Sequence, residues 1–242
     1  MTKSAMVENH HIACFGAILM AMATLASPAT AAQSEPVRYT VSFPSPSTHY
    51  AAVEAEFPTG GHPSIDVFMP VWTPGSYLVR EFSRNLEDVK GPGAVVKTTK
   101  NRWRIDTGGE ATVRISYRVY CREMSVRTNW VDSSFALLNG APTFLTLVGG
   151  LDRPHEVTIQ LPSEWKTTMS GMDEPTPHHY VAPDYDTLVD SPIVAGNPEV
   201  RQFEIDGVPH FLVTAGGDSV FDGERAASDL EKIVRRYREM WG

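Results

Sequence analysis

From Val37 onward the chain alternates apolar and polar residues one by one. VRYTVSF (37–43), YAAVEAEF (50–57), SIDVFMPVW (64–72), RWRID (102–106) and ATVRISYRVYC (111–121) all keep this period of two. Successive side chains of a strand point to opposite faces, so each run describes a strand with one face in a core and one in water. FLTLVG (144–149), HEVTIQLP (155–162), VRQFEID (200–206) and HFLVTA (210–215) read as further strands. Turn signals separate them: Thr59-Gly60-Gly61, Gly91-Pro92-Gly93, Thr107-Gly108-Gly109, Gly149-Gly150 and Asp206-Gly207. Many short strands at this spacing predict a mostly β fold, a β-sandwich of antiparallel strands. Hydrophobic residues make up 42% of the chain, which suffices for a packed core and argues against wholesale disorder. The formal charge of −8 argues against a phosphate-backbone partner, so no nucleic acid is expected.

Both ends of the chain depart from this pattern. At the C-terminal end Asp222 is placed to cap a helix from about Glu224 to Trp241. Ala226, Leu230, Ile233, Val234, Tyr237 and Trp241 fall on one stripe at helical spacing. Such a stripe needs a cover, either the sandwich itself or a further domain that begins here. At the other end, residues 1–32 read as a secretory signal peptide. Lys3 opens it, Ile12–Ala26 is apolar but shorter than the roughly 20 residues of a membrane span, and Pro28 precedes the small residues Ala29-Thr30-Ala31-Ala32. The expected organisation is a signal peptide over 1–32, a β-sandwich over 33–221 and the start of another domain over 222–242. The protein is expected to be exported, periplasmic or secreted, with no membrane span once the leader is removed. Cleavage removes Cys14 and leaves Cys121, so no intrachain disulfide is expected. Cys121 closes an alternating strand and reads as a half-buried structural thiol rather than a nucleophile.

A search for chemistry finds no complete centre. A zinc-peptidase helix needs a second His one turn after a His-Glu pair, but the position after His155-Glu156 is Ile159 and the segment alternates as a strand. His178-His179 are adjacent in a Pro-rich loop and do not favour a shared ion. G-x-S-x-G, Walker and G-x-G-x-x-G motifs are missing from the sequence. Asp173, Glu174, Asp184, Asp186 and Asp190 crowd a loop-rich stretch and read as solvated turn acids. No catalytic residue and no metal ligand is assigned.

Two segments stand out. PVWTPGSYLVREF (70–82) places Trp72 and Tyr77 around a Pro74-Gly75 turn, which suggests a rigid corner that buries both rings. SVRTNWVD (125–132) is followed by LNGAPTFL (138–145), where Asn139-Gly140 is a two-residue hairpin signal. Together with YRVYCREMSVRTNWVD (117–132), LLNGAPTFL (137–145) and, more loosely, residues 190–217, these segments resemble the N-terminal domain of the glycyl aminopeptidase family of zinc metallopeptidases, which are thermolysin-like gluzincins.

The resemblance implies an N-terminal β-sandwich, then a thermolysin-like domain with an HExxH zinc site. The helix at 224–241 resembles the start of that second domain, and the sequence stops short of the zinc motif. Zinc is therefore expected in the catalytic domain, and this chain is expected to be inactive alone. The implied function is to close one side of the cleft of an aminopeptidase acting on peptides with small N-terminal residues. By position, Asn139 and Gly140 are the candidate substrate-binding residues, their oxygens accepting from the substrate ammonium; an ordinary hairpin turn accounts for them equally well. The C-terminal helix is expected to pack on the catalytic domain. The alternative is a stand-alone periplasmic or secreted β-sandwich binding module for peptide or carbohydrate. A third reading is a self-sufficient hydrolase built on Asp184 and Asp186.

Overall fold

The computed structural model describes residues 34–73, 75–216 and 220–241. The leader assigned to residues 1–32, with Cys14, and the Pro74 half of the predicted turn lie outside the described residues. In chain order the strands are β1 (Val37–Ser42), β2 (Tyr50–Pro58), β3 (Ser64–Phe68), β4 (Leu86–Lys90), β5 (Val95–Thr99), β6 (Arg102–Asp106), β7 (Thr112–Tyr120), β8 (Trp130–Val131) and β9 (Phe135–Leu138). Then come β10 (Thr146–Leu147), β11 (His155–Gln160), β12 (Thr167–Met169), β13 (Asp173–Thr176), β14 (His179–Ala182) and helix α1 (Tyr185–Asp190). β15 (Ile193–Gly196), β16 (Glu199–Ile205), β17 (Val208–Thr214) and helix α2 (Gly223–Trp241) complete the described elements.

The alternation of the sequence becomes alternation of burial. β1 buries Val37, Tyr39 and Val41, and β7 buries Val113, Ile115, Tyr117 and Val119. They belong to a seven-stranded sheet ordered β13-β14-β11-β1-β2-β7-β4. Its apolar face joins one core with two four-stranded sheets, β10-β3-β6-β5 and β12-β15-β9-β8. The opposite face carries cross-strand ion pairs on register partners: Arg38 with Glu156 at 3.0 Å and Arg118 with Glu87 at 2.7 Å. These exposed pairs add little stability, but they keep this face polar and favour one register.

The mostly β sandwich expected from the sequence is therefore present, with three differences. Not every pairing is antiparallel: β1 lies parallel to β11. β11 returns beside β1 only after the strands of the β10-β3-β6-β5 sheet, and β8 and β9 of the other, have been made. Secondly, the strand at 64–72 stops at Phe68, and the one at 144–149 shrinks to Thr146–Leu147. Thirdly, the acidic stretch is not loop. Asp173 and Glu174 lie in β13, while Asp184 caps α1 by accepting from Thr187 N at 2.7 Å. That bond holds the Asp184 carboxyl below its usual range.

The C-terminal helix forms where the stripe predicts it, and Asp222 Oδ1 accepts from Arg225 N at 3.0 Å. α2 packs on the β16–β17 hairpin. Arg201 of β16 lies against Gly223 and pairs with Glu224 at 3.0 Å. Coverage fades along the helix: Ala226 and Leu230 are half-buried, whereas Tyr237 and Trp241 are 61% and 79% exposed.

The interior also holds a long irregular stretch. All ten residues from Leu138 to Leu147 are buried, yet only the ends belong to strands. Buried backbone without a ladder must find other partners. Three buried tyrosines supply them on consecutive carbonyls. Tyr117 Oη donates to Thr143 O at 3.0 Å, Tyr185 Oη to Phe144 O at 2.7 Å and Tyr39 Oη to Leu145 O at 2.7 Å. Burial pushes all three hydroxyls above their usual pKa, so they remain donors throughout the physiological range. Gly140 O accepts from Thr143 N and Phe144 N at 3.0 and 2.9 Å. Gly140 itself meets α1 so closely that a Cβ would stand 2.6 Å from Val189 Cα.

His155 closes this cluster. It is fully buried, stacks on Tyr39 at 6.0 Å between centroids, and its Nδ1 lies 2.8 Å from Arg153 O. A carbonyl only accepts, so Nδ1 carries the proton and Nε2 accepts from Thr146 Oγ1 at 3.0 Å. Burial lowers its pKa to about 4 from 6.5. The unfolded chain then binds the extra proton first, and stability from this group falls as pH drops from 6.5 towards 4, by on the order of 3 kcal/mol. Urea melts of the wild type and a His155→Gln variant should diverge over this window, with the variant losing less stability on acidification. Equal slopes would contradict a buried neutral His155. Gly140→Ala should destabilise the domain by about 1–3 kcal/mol through overpacking against backbone; an unchanged urea midpoint would refute the close contact with α1.

Candidate functional site

The segment that crosses the core surfaces beside Asn139. Asn129, buried at the end of the loop before β8, holds it from behind: its Oδ1 accepts from Asn139 N and its Nδ2 donates to Thr143 Oγ1, both at 2.8 Å. Thr143 Oγ1 in turn donates to Asn139 O at 2.6 Å. The Asn139 amide nitrogen donates to Thr128 O and, at 3.4 Å, to Ser125 O, which fixes the 125–128 turn. Its Oδ1 accepts no hydrogen bond among the described residues.

That turn carries Arg127, whose Nη2 donates to Gly75 O at 2.9 Å. The bond ties it to the 71–80 loop, which is built around Ser76. Trp72 Nε1 donates to Ser76 O at 2.6 Å, Ser76 Oγ donates to Leu78 O at 3.0 Å, and Arg80 N closes the loop on Val71 O at 2.6 Å. Gly75 adopts the permissive φ of 77°. The expected burial of Trp72 and Tyr77 is wrong, because this loop closes through its own polar bonds. Ser76 is 6% exposed, Trp72 53% and Tyr77 100%.

Between these parts lies a shallow cleft of about 170 Å³. Thr73, Arg127, Asn139 and Asp190 give it polar groups of both signs, and Pro142 and Pro192 are among its apolar walls. Asn139 thus lines a cleft, whereas Gly140 does not. The hairpin expected at 137–145 is also absent. β9 pairs with β8 and β15, β10 pairs with β3, and the chain between them passes from one sheet to another. Gly140 needs no left-handed backbone; its close approach to α1 is what excludes a side chain. Thr73, Arg127 and Asp190 were not singled out as site residues by the sequence. Arg127 sits inside a distinctive segment, but Asp190 looks there like any other turn acid.

The cleft can orient a polar ligand, and among the described residues no Cys, His or Glu lines it. Cys121 is fully buried and its thiol is pushed up to about 12 by desolvation, the wrong direction for a nucleophile. His155 is buried while its neighbour Glu156 reaches Arg38 on the opposite face. His178 and His179 bond separate threonines, Thr168 at 2.9 Å and Thr158 at 3.0 Å. Among the described residues no three His, Cys, Asp or Glu side chains are grouped to hold a metal, so these residues do not fit a zinc ion. Among them, too, no helix is long and apolar enough to cross a membrane.

Comparison with known proteins places this architecture. A search of curated proteins finds no match. Among solved structures, an aminopeptidase N family protein from Idiomarina loihiensis is 28% identical, with a TM-score of 0.73. The match covers 82% of this chain and 35% of that protein, so the chain spans about a third of its length. An M1 zinc metallopeptidase from Deinococcus radiodurans, bound to Tyr-Ser-Ala substrate, is 11% identical with a TM-score of 0.43, over 81% of this chain and 51% of that one. The family model described as the peptidase M61 N-terminal domain matches residues 38–197, from β1 to just past β15. That match covers well over half of the chain, with the cleft and its supporting tyrosines inside it, and the chain belongs to the peptidase M61 N-terminal domain family.

Proposed function

We propose that this chain is the substrate-facing N-terminal domain of an exported zinc metalloaminopeptidase, and that the Asn139 cleft holds the amino end of the peptide. The family match over residues 38–197 carries this reading. Length and surface support it. The Idiomarina protein has room for a further domain beyond the part shared with this chain. Here α2 turns Tyr237 and Trp241 outward, an apolar stripe suited to packing on such a domain. Zinc chemistry belongs in this reading to the peptidase domain, and no residue of this chain is given a part in it.

What this chain contributes is orientation. Asn139 Oδ1 and the exposed Asp190 carboxylate are acceptors at one cleft, and an ammonium group has three donors to place. Small walls such as Ala141 and Pro142 leave a narrow space, consistent with a preference for small N-terminal residues. Export rests on the leader read from residues 1–32.

The first test is genetic. Reading the gene past codon 242 should reveal an HExxH motif followed by a further Glu; a stop at that point in intact genomic DNA would end the proposal. The second uses the protein carrying both domains. Asp190→Asn removes a charge that makes no hydrogen bond among the described residues. It should raise KM for free-amine peptides by about tenfold, the effect of one lost charge-assisted bond, with kcat little changed. An unaltered KM would remove Asp190 and its cleft from substrate binding.

A further inference from the structure

A second cleft lies away from Asn139, on the open side of β5. β5 is the outer strand of the β10-β3-β6-β5 sheet. Its register with β6 pairs Val95 with Ile105 and Val96 with Arg104, and Asp106 N donates to Ala94 O at 2.9 Å. In an antiparallel ladder bonded and non-bonded pairs alternate. Residues 94 and 96 therefore bond to β6, and the N–H and C=O groups of Val95 and Lys97 turn to the open edge. No strand among the described residues takes them. Unpaired edges of this kind template the addition of another strand.

The cleft beside this edge measures about 510 Å³, three times the Asn139 cleft at 170 Å³. Lys97, Thr98 and Thr99 all line it. The β5–β6 register shifts between Lys97 and Thr99, which breaks strict alternation and lets all three residues reach the cleft at this end of the strand. Its other wall includes Val71, Val79, Glu81 and Arg84.

The charges here oppose those of the whole. In a chain of net charge −8, the cleft presents Arg84, Lys97 and Lys100 against Glu81 alone. Lys100 is already paired with Glu81 at 2.6 Å, and Arg84 with Glu123 at 3.3 Å. Lys97 rests 4.9 Å above the Trp103 ring and meets no carboxylate among the described residues. Val79 is 75% exposed and adjoins the bare Tyr77 and Leu78.

We infer that the β5 edge is a docking strand for an extended, acidic segment of another protein chain. The segment adds its backbone to Val95 and Lys97, sets carboxylates against Lys97 and Lys100, and lays alternate apolar side chains on Val71 and Val79. A second copy of this chain is a poorer occupant, since edge-to-edge pairing of two β5 strands would bring their lysines together.

The test uses the full chain and a blocked hexapeptide of alternating Glu and Val, with alternating Lys and Val as its counterpart. The acidic peptide should shift the backbone amide signals of residues 95–100 in a titration, more weakly as salt rises, and the basic one should not. Lys97→Gln removes only charge, whereas Lys97→Pro also removes the edge N–H. Binding should weaken in both variants, and by about tenfold more in Lys97→Pro, the worth of a backbone bond. Should Lys97→Pro fail to fold, an acidic peptide N-methylated at alternate residues makes the same test from the other side, and its binding should be lost. The inference is overturned by equal binding of both peptides, by shifts confined to other elements, by undiminished binding of the methylated peptide, or by self-association that protects β5 without peptide.

Discussion

The passage from β9 to β10 carries Asn139–Leu145 through the core, and its backbone has no strand to lean on. Three consecutive carbonyls there are taken by Tyr117, Tyr185 and Tyr39. A carbonyl left bare in that interior costs about 1–3 kcal/mol, a large share of the stability of any single domain. The tyrosines come from β7, from α1 and from β1, so the crossing is pinned by elements far apart in sequence. Through it, and through bonds such as His155 to Thr146 and Tyr180 to Thr168, the sheets are joined by directional bonds as well as by apolar surface.

The candidate site inherits its rigidity from this arrangement. Asn129 and Thr143 clamp Asn139 from within the core, and Asn139 fixes the turn that holds Arg127. Arg127 then holds the 71–80 loop through Gly75. A side chain at the cleft is thus connected through few bonds to the most buried part of the molecule. Sites held in this way keep their geometry without help from a ligand.

Legibility in the sequence followed burial. Strands with one face in the core and one in water, such as β1, β2, β6 and β7, carry clean alternation and are found at nearly their full length. β5 is exposed over four of its five residues and β13 over all four, so neither shows a pattern. β8 has two residues and α1 six, too short for any period to declare itself. Asn139-Gly140 carried the strongest hairpin signal and misled for a physical reason: glycine serves a tight turn and a tight contact alike, and only the position of α1 decides between them. The resemblance to the glycyl aminopeptidase family supplied the domain's identity, which spacing alone could not. The cleft remained hidden because Thr73, Arg127, Asn139 and Asp190 meet only in three dimensions.

The parallel pairing of β1 with β11 bears on how the molecule comes to exist. The first strand sits inside the seven-stranded sheet, and one of its two neighbours is made 118 residues later, as the separation of Arg38 and Glu156 records. A chain emerging N-terminus first can form the β1–β2 hairpin early, but β1 stays at the edge of an incomplete sheet until β11 arrives. Contacts of such long range make for slow folding and leave an apolar edge open meanwhile. The domain is therefore one whose assembly is timed by the length of chain already made, and whose early intermediates have most need of protection from one another.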